Sequence, residues 1–285
     1  MVGHVVAGGE GETVIDRVDV NGSEASRADL MVLARATYAH FTSMQARDGA
    51  VRGLDLHLAR LHASTRELFG TALDTERVRG WIRHSLRAAP DAVSVRVTVF
   101  SRRVDAVLRG QDVEPDVAVT TSAPIEAGTA PVRLRVVEYE RDLPHVKHAG
   151  TFGLVLAGRR AVLAGYDDTL FTDRHGRISE ASIANIGFFD GGRVIWPEAA
   201  ALPGITMQLL ERGLAVAGIP SERREIRLDD LGRWVADSPG LGAFLSNSIG
   251  PVVPIAGIDG QALTVDPEVG ALLLECYRSN PWQRV

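Results

Sequence analysis

Lys147 is the only lysine in this sequence; the other thirty of its 31 basic residues are arginine. It stands in Asp142-Leu143-Pro144-His145-Val146-Lys147-His148, between a strand-like and a helix-like run. An amine at such a junction, partly stripped of water, has a lowered pKa and becomes nucleophilic. The plain alternative is a surface lysine, and a GC-rich coding bias would also deplete the others. Three further stretches carry polar groups placed for chemistry. In Leu202-Pro203-Gly204-Ile205-Thr206 a helix opens with free backbone N–H groups and a hydroxyl, an arrangement that accepts an anion, or simply a turn before a helix. Ser246-Asn247-Ser248-Ile249-Gly250 follows an apolar strand and offers hydroxyls and glycine for a phosphate, or is a polar loop. In Ile178-Ser179-Glu180-Ala181-Ser182-Ile183-Ala184-Asn185-Ile186, Glu180 and Asn185 interrupt an apolar run. A buried carboxylate there needs a partner, unless Glu180 faces solvent from an edge strand.

The elements that must position these groups follow from periodicity. Residues 14–20 alternate as a half-buried strand and end in the turn Asn21-Gly22. Leucines at 54, 58, 61 and 68 recur at helical spacing, so 54–69 is a helix; 75–88 repeats the pattern. Strands are expected at 92–100 and 116–121. The Pro-, Gly- and Ala-rich stretch 122–131 is the natural linker. Beyond it come a strand (132–139), a helix (about 150–164), a strand (168–172) and a long strand region (178–189). A strand at 193–196, a helix from 205 to about 217, short strands and a last helix capped by Asp266 with Pro267 in its first turn complete the chain. The reading is a two-domain α/β (α+β) chain: a small domain over 14–121, the linker, and a larger domain over 132–285.

Composition narrows the function. The chain has 285 residues, 45% of them hydrophobic and 24% charged, ordinary values for a globular protein. A net charge of −5 gives no support to a nucleic-acid backbone binder. The single cysteine, Cys276, points to a compartment without disulfides, the cytoplasm. No apolar run is long enough for a membrane span, and the Gly-rich residues 1–13 read as a flexible leader rather than a secretory signal. No metal site is expected: His145 and His148 lack a third ligand, and His57 and His62 do not align on one helical face.

Singly these signals are ordinary; their order is distinctive. An Asn-Gly turn, His57-Leu58-Ala59-Arg60-Leu61, a lysine after proline, Ser-Glu-x-x-x-x-Asn, Leu-Pro-Gly-Ile-Thr and Ser-x-Ser together resemble the class IV aminotransferases over about residues 20–258. These are the fold-type IV pyridoxal-phosphate enzymes: branched-chain and D-amino-acid aminotransferases and aminodeoxychorismate lyase. The resemblance implies a small α/β sandwich domain, a larger domain with a barrel-like sheet, and a homodimer. It implies pyridoxal 5′-phosphate as cofactor, held by Lys147 as an aldimine. It places Glu180 at the pyridine nitrogen with Asn185 in the same motif, and Leu202 against the ring. Arg60, Ile205, Thr206 and Ser248 would hold the phosphate. Arg96, in Val95-Arg96-Val97, matches a strand arginine that binds a substrate carboxylate, although alternation alone would also let it face solvent. His40, Gln45 and Phe152 are expected as pocket walls.

The sequence departs from the family pattern at three places. Phe152 stands where aminotransferases often carry a tyrosine five residues after the lysine. Phe41-Thr42-Ser43 replaces the usual Phe-Glu-Gly or Phe-Glu-Thr, and Met207 replaces the arginine after Gly-Ile-Thr. The leading expectation is an aminotransferase moving an amino group between a small amino acid and a 2-oxo acid. The lyase, which releases pyruvate, shares the Lys-His pair and the missing tyrosine. A catalytically silent relative acting as a binding protein is the third expectation.

Overall fold

The computed structural model describes residues 15–126 and 128–285; the expected leader at 1–13 lies outside them. The chain forms two compact units. Among the described residues, one gathers 15–125 with Val146–Thr151 and Trp282–Val285; the other holds Glu126–His145 and Phe152–Pro281. A single cut at 122–131 differs from this division at two short segments, which fold with the earlier residues.

The first unit contains β1 (Ile15–Val20), β2 (Ser23–Glu24), α1 (Arg27–Leu33), β3 (Ala39–Arg47), β4 (Ala50–Arg52), α2 (Leu54–Phe69), α3 (Thr75–Arg87), β5 (Ala92–Phe100), α4 (Val104–Leu108) and β6 (Asp116–Ser122). Its sheet runs β4-β3-β5-β6-β1-β2, extended past β4 by the terminal strand Trp282–Arg284. β5 dictates the layering. Val93, Val95, Val97 and Val99 are at most 1% exposed and pack with Leu61 of α2 and Val78 and Ile82 of α3. Because strand side chains alternate, Ser94, Arg96 and Thr98 take the opposite face. β3 pairs with β5 antiparallel from Ala39↔Phe100 to Arg47↔Ala92. Its Met44 and Ala46 join the core with α2 and α3, and Phe41, Ser43 and Gln45 lie on the side of Arg96. The turn out of β3 uses Asp48 (φ 50°) and Gly49 (φ 69°), the left-handed pair that suits a twisted hairpin.

The segment Val146–Thr151 belongs here because the start of β3 has a free edge. Phe41 N–H donates to Lys147 C=O at 2.8 Å, and Ala149 N–H donates to Ala39 C=O at 2.7 Å. Val146, 1% exposed, enters the same core. Backbone groups on an edge need partners, and this segment supplies them, so Lys147 is fixed by strand-like pairing.

The second unit contains β7 (Val132–Glu138), α5 (Phe152–Leu163), β8 (Asp168–Thr172), β9 (Ile178–Ala181), β10 (Asn185–Asp190), β11 (Arg193–Pro197), α6 (Ile205–Ala217), β12 (Ser221–Arg224), α7 (Leu228–Asp237), β13 (Gly242–Ser246), β14 (Val253–Ile258), β15 (Gln261–Ala262) and α8 (Pro267–Arg278). Strands β10-β13-β14-β7-β8-β9 follow one another, and β9 pairs back onto β10. The six close into a barrel, filled by Leu134, Leu170, Ile178, Ile186, Leu245 and Ile255. The strand expected over 178–189 is two strands. Ala181 N–H donates to Ala184 C=O at 2.8 Å, so the chain reverses at Ser182-Ile183 and sets Glu180 opposite Asn185. α7 stands where short strands were expected. α6 crosses α8 at Gly213, where a Cβ would lie 1.8 Å from the Cys276 carbonyl oxygen; only glycine admits that approach. Among the described residues no helix is long and apolar enough to cross a membrane.

Candidate functional site

In the first unit the expected residues gather around β3. Lys147 Nζ lies 5.0 Å from the centre of the Phe41 ring, and the Arg96 guanidinium lies 3.5 Å from the same ring. Arg96 therefore shares the Phe41 face. Its Nε donates to Thr98 Oγ1 at 3.3 Å, and among the described residues no carboxylate pairs with it. Burial lowers its pKa to about 10, which leaves it fully charged near neutrality. Gln45 is on this face, bonded to Ser94 Oγ at 2.9 Å. His40 is not. It turns to α2, where its Nε2 meets Thr65 Oγ1 at 3.0 Å, and burial lowers its pKa to about 3. His40, expected as a pocket wall, is on the α2 side of β3 and not on the Arg96 side, because residues 40 and 41 face opposite ways.

Arg60 rises from α2 toward Thr42 on the helix side of β3. Its Nη2 donates to Thr42 Oγ1, while its Nε is enclosed without a hydrogen-bond partner. Among the described residues no carboxylate pairs with this guanidinium. Burial lowers its pKa to about 10. A half-buried cation with an enclosed Nε and no counter-charge among the described residues carries a desolvation cost, and an anion at that point would relieve it. His57, one helical turn before Arg60, meets Thr42 Oγ1 through Nδ1 at 2.6 Å. Burial first, then the charges of Arg60 and Lys147, drive the His57 pKa well down.

In the second unit Glu180, Asn185 and Leu202 form one arrangement. Leu202 N–H donates to Glu180 Oε2 at 3.2 Å, and Asn185 Nδ2 donates to Leu202 C=O at 2.8 Å. The two polar residues of the Glu-x-x-x-x-Asn motif thus hold one residue's backbone from both ends, and Pro203-Gly204 follows into α6. Arg141 Nη1 donates to Glu180 Oε1 at 3.2 Å, and this ion pair is less than a tenth exposed on either side. The buried carboxylate has its partner, and the solvent-facing alternative for Glu180 is excluded. α6 begins at Gly204 with no side-chain cap, so the amides of Ile205 and Thr206 open the helix with its positive dipole end. Both residues are buried. Ser248 is half-buried in a loop shaped by Asn247 Oδ1, which accepts from Ile249 and Gly250 N–H at 2.9 and 2.8 Å. Phe152 opens α5 and is 81% exposed.

Reasoning from sequence missed part of this arrangement. Arg141 gave no signal beyond the rule that a buried Glu180 requires a partner. Ser246, read within the Ser-x-Ser motif as a hydroxyl for a phosphate, stands opposite Asn185 in the β10–β13 register, and its Oγ is enclosed without a hydrogen-bond partner among the described residues. Thr42 was visible as a departure from the family pattern but not as the contact between Arg60 and His57.

The comparisons agree with this geometry. The family model described as amino-transferase class IV matches residues 39–258. A curated protein of Synechocystis sp., named "Probable branched-chain-amino-acid aminotransferase", is 29% identical over 113 residues, 39% of this chain. That match spans 35% of the relative's own length. Among solved structures, the branched-chain aminotransferase of Thermoproteus uzoniensis with norvaline superposes with a TM-score of 0.80 at 20% identity, covering 93% of this chain and 94% of that one. The branched-chain amino acid aminotransferase of Thermobaculum terrenum in its PLP-form gives 0.76 at 16% identity, covering 94% of each chain. A Legionella pneumophila protein named "Putative 4-amino-4-deoxychorismate lyase" gives 0.72 at 17% identity, covering 87% of this chain and 93% of that one. At these identities the superpositions speak for the fold, and the family model speaks for the lineage. The chain has the fold of the fold-type IV enzymes and belongs to the class IV amino-transferase family.

Proposed function

We propose that this protein is a pyridoxal-phosphate-dependent aminotransferase that moves an amino group between a small amino acid and a 2-oxo acid, with Lys147 as the reacting amine. The observation that carries the reading is the donor set. Arg60 is a half-buried guanidinium whose enclosed Nε has no hydrogen-bond partner and which meets no carboxylate among the described residues. α6 opens on uncapped amides, Ser246 Oγ is enclosed and unpartnered, and Glu180 is a carboxylate held by Arg141. A phosphate dianion and a basic ring nitrogen are what such groups fit.

When bound, the cofactor supplies an aldehyde that takes an amine and a ring that accepts the electron pair released at the substrate Cα. The chain's residues do the rest. Lys147 Nζ would be the amine that holds the cofactor's aldehyde, and it would move the proton to and from the substrate carbon. Glu180, held by Arg141 and by the Leu202 N–H, would be the carboxylate that pairs with the ring nitrogen. Arg60, the amides of Ile205 and Thr206, and the hydroxyls of Thr206 and Ser248 would hold the phosphate, and Leu202 would meet the ring. Arg96 binds the carboxylate of the amino or oxo acid, with Gln45 beside it; Phe152 is kept as a wall only if a partner covers its exposed ring. The working protein is taken as a cytoplasmic homodimer, the state implied by the family resemblance.

The test is a visible spectrum of the purified protein titrated with D- and L-amino acids. A cofactor band that shifts with amino donors and is absent in Lys147→Ala supports the reading, with turnover falling by at least about 10² to 10⁴-fold. A colourless protein that takes up no cofactor overturns it. The Lys147-His148 pair and Phe152 favour a second reading, the lyase. Formation of 4-aminobenzoate from aminodeoxychorismate, without oxo-acid formation from any donor, would establish that one instead.

A further inference from the structure

We infer that Thr42 and His57 form a positioning relay that fixes the Arg60 guanidinium, and that His57 serves in it as a neutral imidazole carrying its proton on Nε2. The inference rests on the proposed role of Arg60 as an anion-binding group and adds two residues to it.

The geometry begins with spacing. His57 and Arg60 are three apart on α2, so they share one helical face. Thr42 is on the face of β3 that packs against that helix, and it is fully buried. Its single hydroxyl oxygen meets both: Arg60 Nη2 on one side and His57 Nδ1 on the other, the latter at 2.6 Å. Arginine can only donate, so Thr42 Oγ1 accepts from Arg60. The hydroxyl then has one hydrogen to place. A hydroxyl oxygen can accept twice, but if His57 Nδ1 also donated, the buried hydroxyl hydrogen would have no acceptor among the described residues. If Thr42 donates to Nδ1, the hydroxyl both accepts and donates, as buried polar groups do as a rule.

A protonated His57 would break this arrangement, because both of its ring nitrogens would donate. The imidazole is 3% exposed, and beyond its burial it faces the charges of Arg60 and Lys147. The neutral form is the one that fits, and Nδ1 is its acceptor, which leaves the proton on Nε2. Among the described residues no carboxylate orients Arg60, and its Nε is unpartnered. The bond to Thr42 therefore constrains where its fork points, and His57 sets the direction of that bond by taking the hydroxyl hydrogen.

The test uses the full-length apoprotein. Nitrogen-15 spectra of the imidazoles, with His57 assigned by comparison with His57→Gln, should show a neutral ring protonated on Nε2. A ring protonated on Nδ1, or a charged ring at neutral pH, overturns the relay. Calorimetric titration with inorganic phosphate and with pyridoxal phosphate should show Thr42→Val weakened about tenfold, the loss of one positioned hydrogen bond to a charged group, and Thr42→Ser within about twofold of wild type. Phosphate-free pyridoxal should bind all three alike. Equal phosphate affinity in Thr42→Val and wild type overturns the relay while leaving Arg60 as the anion group. Should Arg60→Ala bind phosphate as wild type does, the parent reading of Arg60 fails, and the imidazole spectrum alone then decides the hydrogen-bond relay.

Discussion

Arg141 Nη1 reaches Glu180 Oε1 at 3.2 Å, with the two side chains only 8% and 7% exposed. Two opposite charges taken out of water hold each other in place, and the second oxygen of Glu180 is taken by the Leu202 amide. Removing one member of such a pair leaves the other charge buried and alone. Arg141→Met should therefore lower the unfolding free energy of the apoprotein by about 3 to 5 kcal/mol, and the double variant with Glu180→Gln should recover a large part of that loss. Urea unfolding curves measure both. A single variant within about 1 kcal/mol of wild type, the range of an exposed pair, would show that the two charges are not buried together.

Gly204 offers a second test, because an added Cβ would stand 1.9 Å from Asn185 Oδ1. Its φ of −62° is open to any residue, so the obstacle is the neighbour and not the backbone conformation. Asn185 cannot yield freely, since its amide holds the Leu202 carbonyl at 2.8 Å. Gly204→Ala should displace the opening of α6 and weaken phosphate binding by about tenfold, the worth of one or two good hydrogen bonds. Adding Asn185→Ala removes the clash, so the double variant should lose less than the sum of the singles. Strict additivity in phosphate titrations would argue against this coupling.

How far the sequence disclosed these relationships depended on what each side chain packs against. α2 and β5 were readable to the residue because one face of each meets a core with the matching period, and β8 because its short run is buried on both faces, with Leu170 and Phe171 in different clusters. β3 was not expected at all. Its sequence, AHFTSMQAR, puts polar groups on both faces, because one side holds His40 and Thr42 against α2 and the other carries Phe41, Ser43 and Gln45 beside Arg96. A strand that serves a site on both sides loses the apolar alternation that announces a strand. The motif residues Lys147, Glu180, Asn185 and Thr206 were legible as a series. Arg141 was not, since it answers Glu180 from 39 positions away, and local spacing carries no trace of such a partner.

Arg96 should show its role in the split between binding and turnover. It is charged, lies against Phe41 on the face that Lys147 also meets, and has no carboxylate partner among the described residues. Arg96→Leu should raise KM for amino and oxo acids by about 10- to 100-fold, the worth of a charge-assisted hydrogen bond, with kcat changed much less. Steady-state kinetics with a carboxylate-free amine as control checks it: the amine should be used equally well by both proteins. A fall in kcat at unchanged KM would place Arg96 elsewhere in the reaction.

The outer face of α5 bears on the proposed homodimer. Phe152, Val155, Val162 and Leu163 are 81%, 45%, 52% and 69% exposed, and they recur along one side of the helix while Leu154, Ala157 and Ala161 face inward. Large apolar groups left in a row on a helix are the composition of an interface core. Val162→Glu should shift the protein from dimer to monomer in sedimentation velocity without loss of helix signal. A wild-type protein that sediments as a monomer at micromolar concentration would end this proposal.

Asp168 gives the fold a pH dependence whose sign can be worked out. It is wholly buried, its Oδ1 accepts from Thr169 N–H at 2.7 Å, and its Oδ2 has no hydrogen-bond partner. Burial pushes its pKa up from 3.8 to about 6, against the smaller opposing effects of Ser182 and the Thr169 amide. The folded protein thus binds this proton more tightly than the unfolded chain does. The associated stability is complete below about pH 4 and drains away as pH rises through about 6, with a ceiling of about 3 kcal/mol for a shift of this size. Asp168→Asn cannot lose that proton, so its stability should fall less between pH 4 and pH 8 than that of wild type, and at pH 8 it should be the more stable of the two. Denaturant midpoints at both pH values decide the matter, and parallel pH profiles would mean that Asp168 is as readily ionised in the folded protein as in the unfolded chain.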